Sequence, residues 1–233
     1  SSPAKQADAE LLVKPISDSP EYEENDDGSL DYTDLHLFEN VMAEQHIADH
    51  MPAIAGVNGR DIYGALIASQ QVTKDVVQLG SGVMFDEMQQ KYFAVKAGYV
   101  TYEDGKLNVE DTYVVERNID FRVGNINFVS HVKVRGDVLS DFSIRAGGDL
   151  EIHGTVTGAA LQVEKDLRMS FGILGQGKSH IQVNGNASVK FLNEAHAEVL
   201  GSLEVLREVL NSNIACFGEI HAKDAVVIGG RIV

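Results

Sequence analysis

From about Ile119 onward, apolar and polar residues alternate in short runs, and each run ends in a turn pair. The unit is apolar, any, apolar, any, then usually Gly followed by a small or acidic residue. Seven copies begin at Val132, Ile144, Leu161, Ile181, Ala197, Ile214 and Val226. Their turn positions are Gly136, Gly148, Lys165, Gly185, Gly201, Gly218 and Gly230, so the steps between copies are 12, 17, 20, 16, 17 and 12 residues. After most turns the alternation resumes, with Leu150 and Ile152, Leu167 and Met169, Ala187 and Val189, Leu203 and Val205, and Ile220 and Ala222 on one face. Each unit is thus a strand, a glycine corner, a second strand and a variable third side. One such coil cannot bury its inner face alone, so neighbours must stack into a continuous apolar column. The pattern predicts an all-β chain whose C-terminal half, 119–233, is a parallel β-helix. Side chains of a strand alternate with period two, so Glu151, Arg168, Ser188, Glu204 and His221 should form an outward column. Glu151, Arg168, Glu204 and His221 are the candidate protein-binding residues. Glycine is expected at the corners because the bends cost a residue with a Cβ.

Upstream the rhythm is shorter. Tyr99 to Tyr102, the turn Glu103-Asp104-Gly105-Lys106 and Leu107 to Val109 read as a β-hairpin, since Asp-Gly accepts the positive φ of such turns. Residues 56–64 place glycine at each turning point of a compact loop. Residues 28–118 are therefore expected to form a smaller β-rich domain ahead of the helix. Residues 1–27 differ again. Residues 1–60 hold thirteen acids and three bases, and from Glu21 to Asp34 there are seven acids and no base. That composition reads as a loosely ordered acidic leader or linker rather than a docking tail.

Charge sharpens the picture of partners. The 233 residues carry a formal charge of -16, which disfavours contact with nucleic acid phosphates and anionic lipid. No apolar run reaches the roughly 18 residues of a membrane span, so no membrane insertion is expected. Apolar residues at 44% suffice for a sizeable core. The single cysteine, Cys216, forms no internal disulfide and offers no zinc spacing, which fits a reducing compartment. The chain starts at Ser1 without a signal pattern, as a fragment or processed product would.

Several motifs invite chemistry. Residues 172–179 match the phosphate-loop pattern G-x-x-x-x-G-K-S through Gly172, Gly177, Lys178 and Ser179. Phosphate binding needs a helix directly after the Lys-Ser pair, and here a copy of the strand repeat follows, so the match reads as a decoy. His46 and His50, four apart, are too few for a closed zinc site and read as surface histidines on a short helix. His153, His180, His196 and His221 fall at different repeat positions and are not expected to form one ring. Glu151 and Glu204 share a column but lie several coils apart, which is poor placement for a catalytic pair. No catalytic, metal, nucleotide or other cofactor site is expected.

The repeat and the middle region together resemble a known family. Residues 56–64 resemble its G-x-x-G-x-D-[IV]-x-G element, and 97–106 resemble its hairpin. Residues 124–129, 134–138, 146–154 and 172–178 continue the likeness, which covers about 28 to 233. The chain is identified as similar to the flagellar assembly protein A (FapA) family of polymer-forming β-helix proteins. The resemblance implies a right-handed coil and a cytoplasmic bacterial protein. It also implies a non-catalytic scaffold or adaptor in flagellar or polar organisation, acting through protein-protein interaction with flagellar, polar or regulatory proteins or through self-assembly as a homo-oligomer. Departures are Lys165 for a corner Gly, and Asn186, Ser202 and Glu219 for the usual Asp. Because the chain stops at Val233 in mid-repeat, an open coil end is expected there. Two other readings stand beside this one: a carbohydrate-active β-helix enzyme, and a relative of the β-helical division inhibitor MinC.

Overall fold

The computed structural model describes residues 9–13, 23–24, 30–31, 37–50, 57–68 and 77–233. Among them there is strand and turn but no helix. The chain divides into two compact units, one holding Phe38–Glu110 and the other Asp111–Val233.

In the first unit an antiparallel sheet has the order Ala9–Leu11, His46–His50, Lys91–Ala94, Val83–Asp86. A second sheet has the order Asn40–Val41, Gly98–Glu103, Lys106–Glu110, Gln78–Leu79. Alternating residues from both supply the core, including Ile47, Tyr92, Val100, Leu107 and Val109. The expected hairpin is present. Tyr99 faces Glu110, and Glu103 faces Lys106, across a turn with Asp104 at φ 50° and Gly105 at φ 75°. Two successive positive φ values are what a two-residue turn needs to match strand twist. Ala9–Leu11, within the stretch read as a leader, pairs with His46–His50. Glu23–Glu24 pairs with Leu30–Asp31; most of the remaining leader lies outside the described residues.

In the glycine-rich loop, Gly56 is outside the described residues and Gly59 sits in a strand paired with Ile67. Only Gly64 bends through positive φ there, at 84°. The carboxylate of Asp61 organises that turn, its Oδ1 accepting from the amides of Tyr63 and Ala65, each at 2.8 Å.

The second unit is a β-solenoid of about seven coils over 112–232. Each coil has three sides. The first side is a parallel ladder of seven strands from Ile126–Phe128 to Arg231–Ile232, and the second runs from Thr112–Val115 to Ile220–His221. The third side stacks Ile119, Val138, Val156, Ile173, Leu192, Val209 and Val227. Stacking thus begins at Thr112, ahead of Ile119. Inward residues sit in register from coil to coil: Ile126, Ile144, Leu161 and Ile181 on the first side, Val132, Leu150, Leu167 and Ala187 on the second. All of these are buried. Burying each such Leu, Ile or Val contributes roughly 1.5 to 3 kcal/mol, which is what drives the coils together. In the last coil Ile220, Val227 and Ile232 are exposed.

The register revises the repeat in two places. Gly148, Lys165, Gly185, Gly201 and Gly218 do form one corner column, each later amide donating to the carbonyl one coil earlier. Gly136, however, belongs to the second corner, with Gly154 directly over it, and Gly230 to the third, over Ser212. The 12-residue steps therefore compare different sides of the coil. All sides carry the same alternation of inward apolar and outward polar residues, so pattern alone does not tell them apart.

The reason for glycine at the first corner also differs from the expected one. Gly148, Gly185, Gly201 and Gly218 are not in the left-handed region. They are required because the previous coil is too close: a Cβ on Gly185 would lie 2.5 Å from the carbonyl oxygen of Lys165. Positive φ belongs to the third corner, at Asp141, Gly158, Gln176, Glu194, Asn211 and Gly229.

Candidate functional site

The predicted outward column on the second side is built by the parallel register. Lys133 faces Glu151, Glu151 faces Arg168, Arg168 faces Ser188, Ser188 faces Glu204 and Glu204 faces His221. Parallel neighbours lie about 4.8 Å apart, so the six residues make a straight charged file about 24 Å long. Glu151 accepts from Lys133 Nζ at 3.0 Å and pairs with His153 Nε2 at 2.6 Å. These bonds, His153 first and Lys133 next, hold the Glu151 carboxyl below the usual glutamate range. Arg168 is 67% exposed and meets Asp166 at 3.6 Å. Glu204 accepts from the Ser188 hydroxyl at 2.7 Å. His221 lies 3.3 Å from Glu219. A recess of about 290 Å³ opens around Ser188, with Arg168, Glu204 and His221 on its walls. Glu151 and Glu204 are three rungs apart, about 14 Å by strand spacing, whereas glycosidase carboxylates stand about 5 to 9.5 Å apart.

Beside this file runs a ladder that the sequence hinted at through its "small or acidic" position. His131 Nδ1 accepts from the amide of Asp149, Asp149 Oδ1 from Asp166, Asp166 Oδ1 from Asn186, Asn186 Oδ1 from Ser202, and Ser202 Oγ from Glu219. Each side chain satisfies a corner amide one coil later, which the sharp corner would otherwise leave without a partner. Asp, Asn and Ser are interchangeable here because all present an acceptor on a short stem. The departures Asn186 and Ser202 therefore keep the device.

Residues 111–233 match the Flagellar Assembly Protein A beta solenoid domain, and residues 2–105 match the Flagellar Assembly Protein A N-terminal region. The chain belongs to the FapA family. No curated protein and no solved structure matches it.

In this FapA-family chain the phosphate-loop pattern forms a third corner. Ile173–Leu174 is a strand, Gln176 and Gly177 turn at positive φ, and the strand His180–Val183 follows. The amides that a phosphate would need are spent on backbone carbonyls: Gly175 on Asn193, Gly177 on Glu194, and Lys178 and Ser179 on Gly175. The Lys178 ammonium pairs with Asp141 at 3.5 Å, and the Ser179 side chain is buried. The Gly172 position is set by Phe191, whose ring a Cβ there would strike.

The histidines divide differently from the sequence reading. His46 and His50 lie on a strand, not a helix. His46 pairs with Asp49 at 3.0 Å and His50 packs on Tyr92 and Phe85. His180 and His196 do stack, directly in register on the first side, with Asn213 and Arg231 continuing the file. His153 and His221 lie elsewhere. Among the described residues no group of three or more His, Cys, Asp or Glu could hold a metal ion, and no helix is long and apolar enough to cross a membrane.

Proposed function

We propose that this FapA-family chain is a non-catalytic scaffold or adaptor in flagellar assembly, and that the second side of its solenoid is the face that makes its protein contacts, with a flagellar-assembly protein or with a second copy of itself. The observation that carries this is the file from Lys133 to His221: six side chains held at fixed spacing by a parallel ladder, half-buried to exposed, with charge alternating along a rigid rod. A stacked repeat presents such a surface without rearranging, so little ordering entropy opposes binding. The family supports the setting in flagellar assembly; the file supports the mode of action.

The test is to immobilise the full chain and present flagellar-assembly proteins from the same cell, each purified. Arg168→Glu, checked by circular dichroism for an unchanged fold, should lose at least tenfold in retention of the partner that wild type holds. Equal retention by both chains would contradict the reading.

A further inference from the structure

The charges that flank Ser188 on the second side are opposite in sign. One coil earlier stands Arg168 and one coil later Glu204; two coils earlier stands Glu151 and two coils later His221. Rotating this face by half a turn about an axis lying along the strand through Ser188 puts Glu204 where Arg168 was, and His221 where Glu151 was. A surface whose charge pattern inverts under its own two-fold rotation is complementary to a second copy of itself. We propose that two copies of this chain pair second side to second side, antiparallel, with Ser188 meeting Ser188 at the two-fold axis and each Arg168 facing the other copy's Glu204. This rests on the reading of the second side as a protein-contact surface and names what covers it.

Three features support this arrangement. A parallel pairing in the same register would set Arg168 on Arg168 and Glu204 on Glu204, and like charges face to face oppose association. The centre of the face is made of small residues, Ser188 and Ser202, around the recess of about 290 Å³, so two sheets can approach there. The long side chains stand on either side of that dip, and Arg168 is 67% exposed with its nearest carboxylate, Asp166, at 3.6 Å, so it is free to turn to a second carboxylate. Lys190, which flanks Ser188 on the same strand, would otherwise face its own copy. Its ammonium sits 4.5 Å above the Phe171 ring.

The experiment is sedimentation velocity on the full chain over a hundredfold concentration range. Wild type should pass from monomer to dimer and no further, and added salt should weaken the dimer. Arg168→Glu and Glu204→Arg should each weaken it by about tenfold or more, and the double variant, which restores opposite charges across the axis, should return to within about threefold of wild type. In a Cys216→Ala background, Ser188→Cys should give a disulfide-linked dimer on mild oxidation, because only a residue on the axis meets itself. A monomer at every concentration, single reversals without effect, a double variant no better than the singles, or an associating Ser188→Cys chain that does not cross-link would each overturn the proposal. If the chain stays monomeric while Arg168→Glu still loses a flagellar-assembly protein, this inference fails and the contact-surface reading stands.

Discussion

Gly201 donates its amide to the carbonyl of Gly185 at 2.9 Å, and a Cβ on Gly201 would lie 2.6 Å from the carbonyl carbon of that same residue. Gly201 can come this close to the backbone below because it has no Cβ. Lys165, the one member with a Cβ, donates to Gly148 over a longer 3.3 Å. Gly201→Ala should therefore force two coils apart and cost about 2 to 4 kcal/mol, in the range of severe core strain. The midpoint of chemical denaturation, compared with that of wild type, measures it. A loss under 0.5 kcal/mol, the size of an ordinary surface change, would mean the column is not as tight as the geometry requires.

The acceptor ladder gives a second expectation. Asp166→Ala removes the partner of the exposed Asn186 amide, which should cost about 0.5 to 1.5 kcal/mol. Asp166→Asn keeps an acceptor on the same stem and should lose less than half as much. Denaturation midpoints of the two variants, measured side by side, separate the ladder from a general effect of removing charge.

Stability should also be gained. Glu194 occupies the left-handed region at φ 49° at the third corner, where Gly158 and Gly229 stand in other coils. That conformation costs a residue with a Cβ roughly 1 to 2 kcal/mol, against about 0.5 to 1 kcal/mol for the extra unfolded-state freedom of glycine. Glu194→Gly should raise the melting temperature, with a net gain of up to about 1.5 kcal/mol. Asn211→Gly, at φ 46°, should change it little, since Asn tolerates this region better.

Much of this was legible in the sequence, but only as period. Alternation of Leu150 with Ile152 and of Leu167 with Met169 sufficed for inward and outward faces, and so for the column of Glu151, Arg168, Glu204 and His221. It did not suffice for the coil side. Val132 and Ile144 look like successive copies, yet one is on the second side and the other on the first. The Asp after the corner was visible as a preference without a cause, because the amide it serves lies sixteen to twenty residues later. His180 over His196 was missed because the coil between them is 16 residues long and its neighbours are 20 and 17. Only the register of hydrogen bonds counts those lengths.

Acid should act on the file in a definite direction. The folded-state carboxyl of Glu151 sits below its ordinary value because His153 and Lys133 donate to the charged form. A depressed carboxylate adds stability above the unfolded value, about 4.3, and loses it as pH falls through the folded value. With the side chain 45% exposed, the contribution is screened to no more than about 0.5 kcal/mol. Glu151→Gln should thus be slightly less stable than wild type at pH 7, and the difference should vanish by about pH 3. Melting curves at both values check this; a gap that widens in acid has the wrong sign.

The contact surface itself is tested most directly in the cell. In a flagellated bacterium that encodes this chain, the chromosomal copy is replaced by Arg168→Glu, the protein level is verified by immunoblot, and flagella are counted by electron microscopy. A folded, normally abundant variant should leave cells with clearly fewer flagella than wild type. Wild-type flagellation with the charge reversed would contradict the claim that the second side of the solenoid does the work.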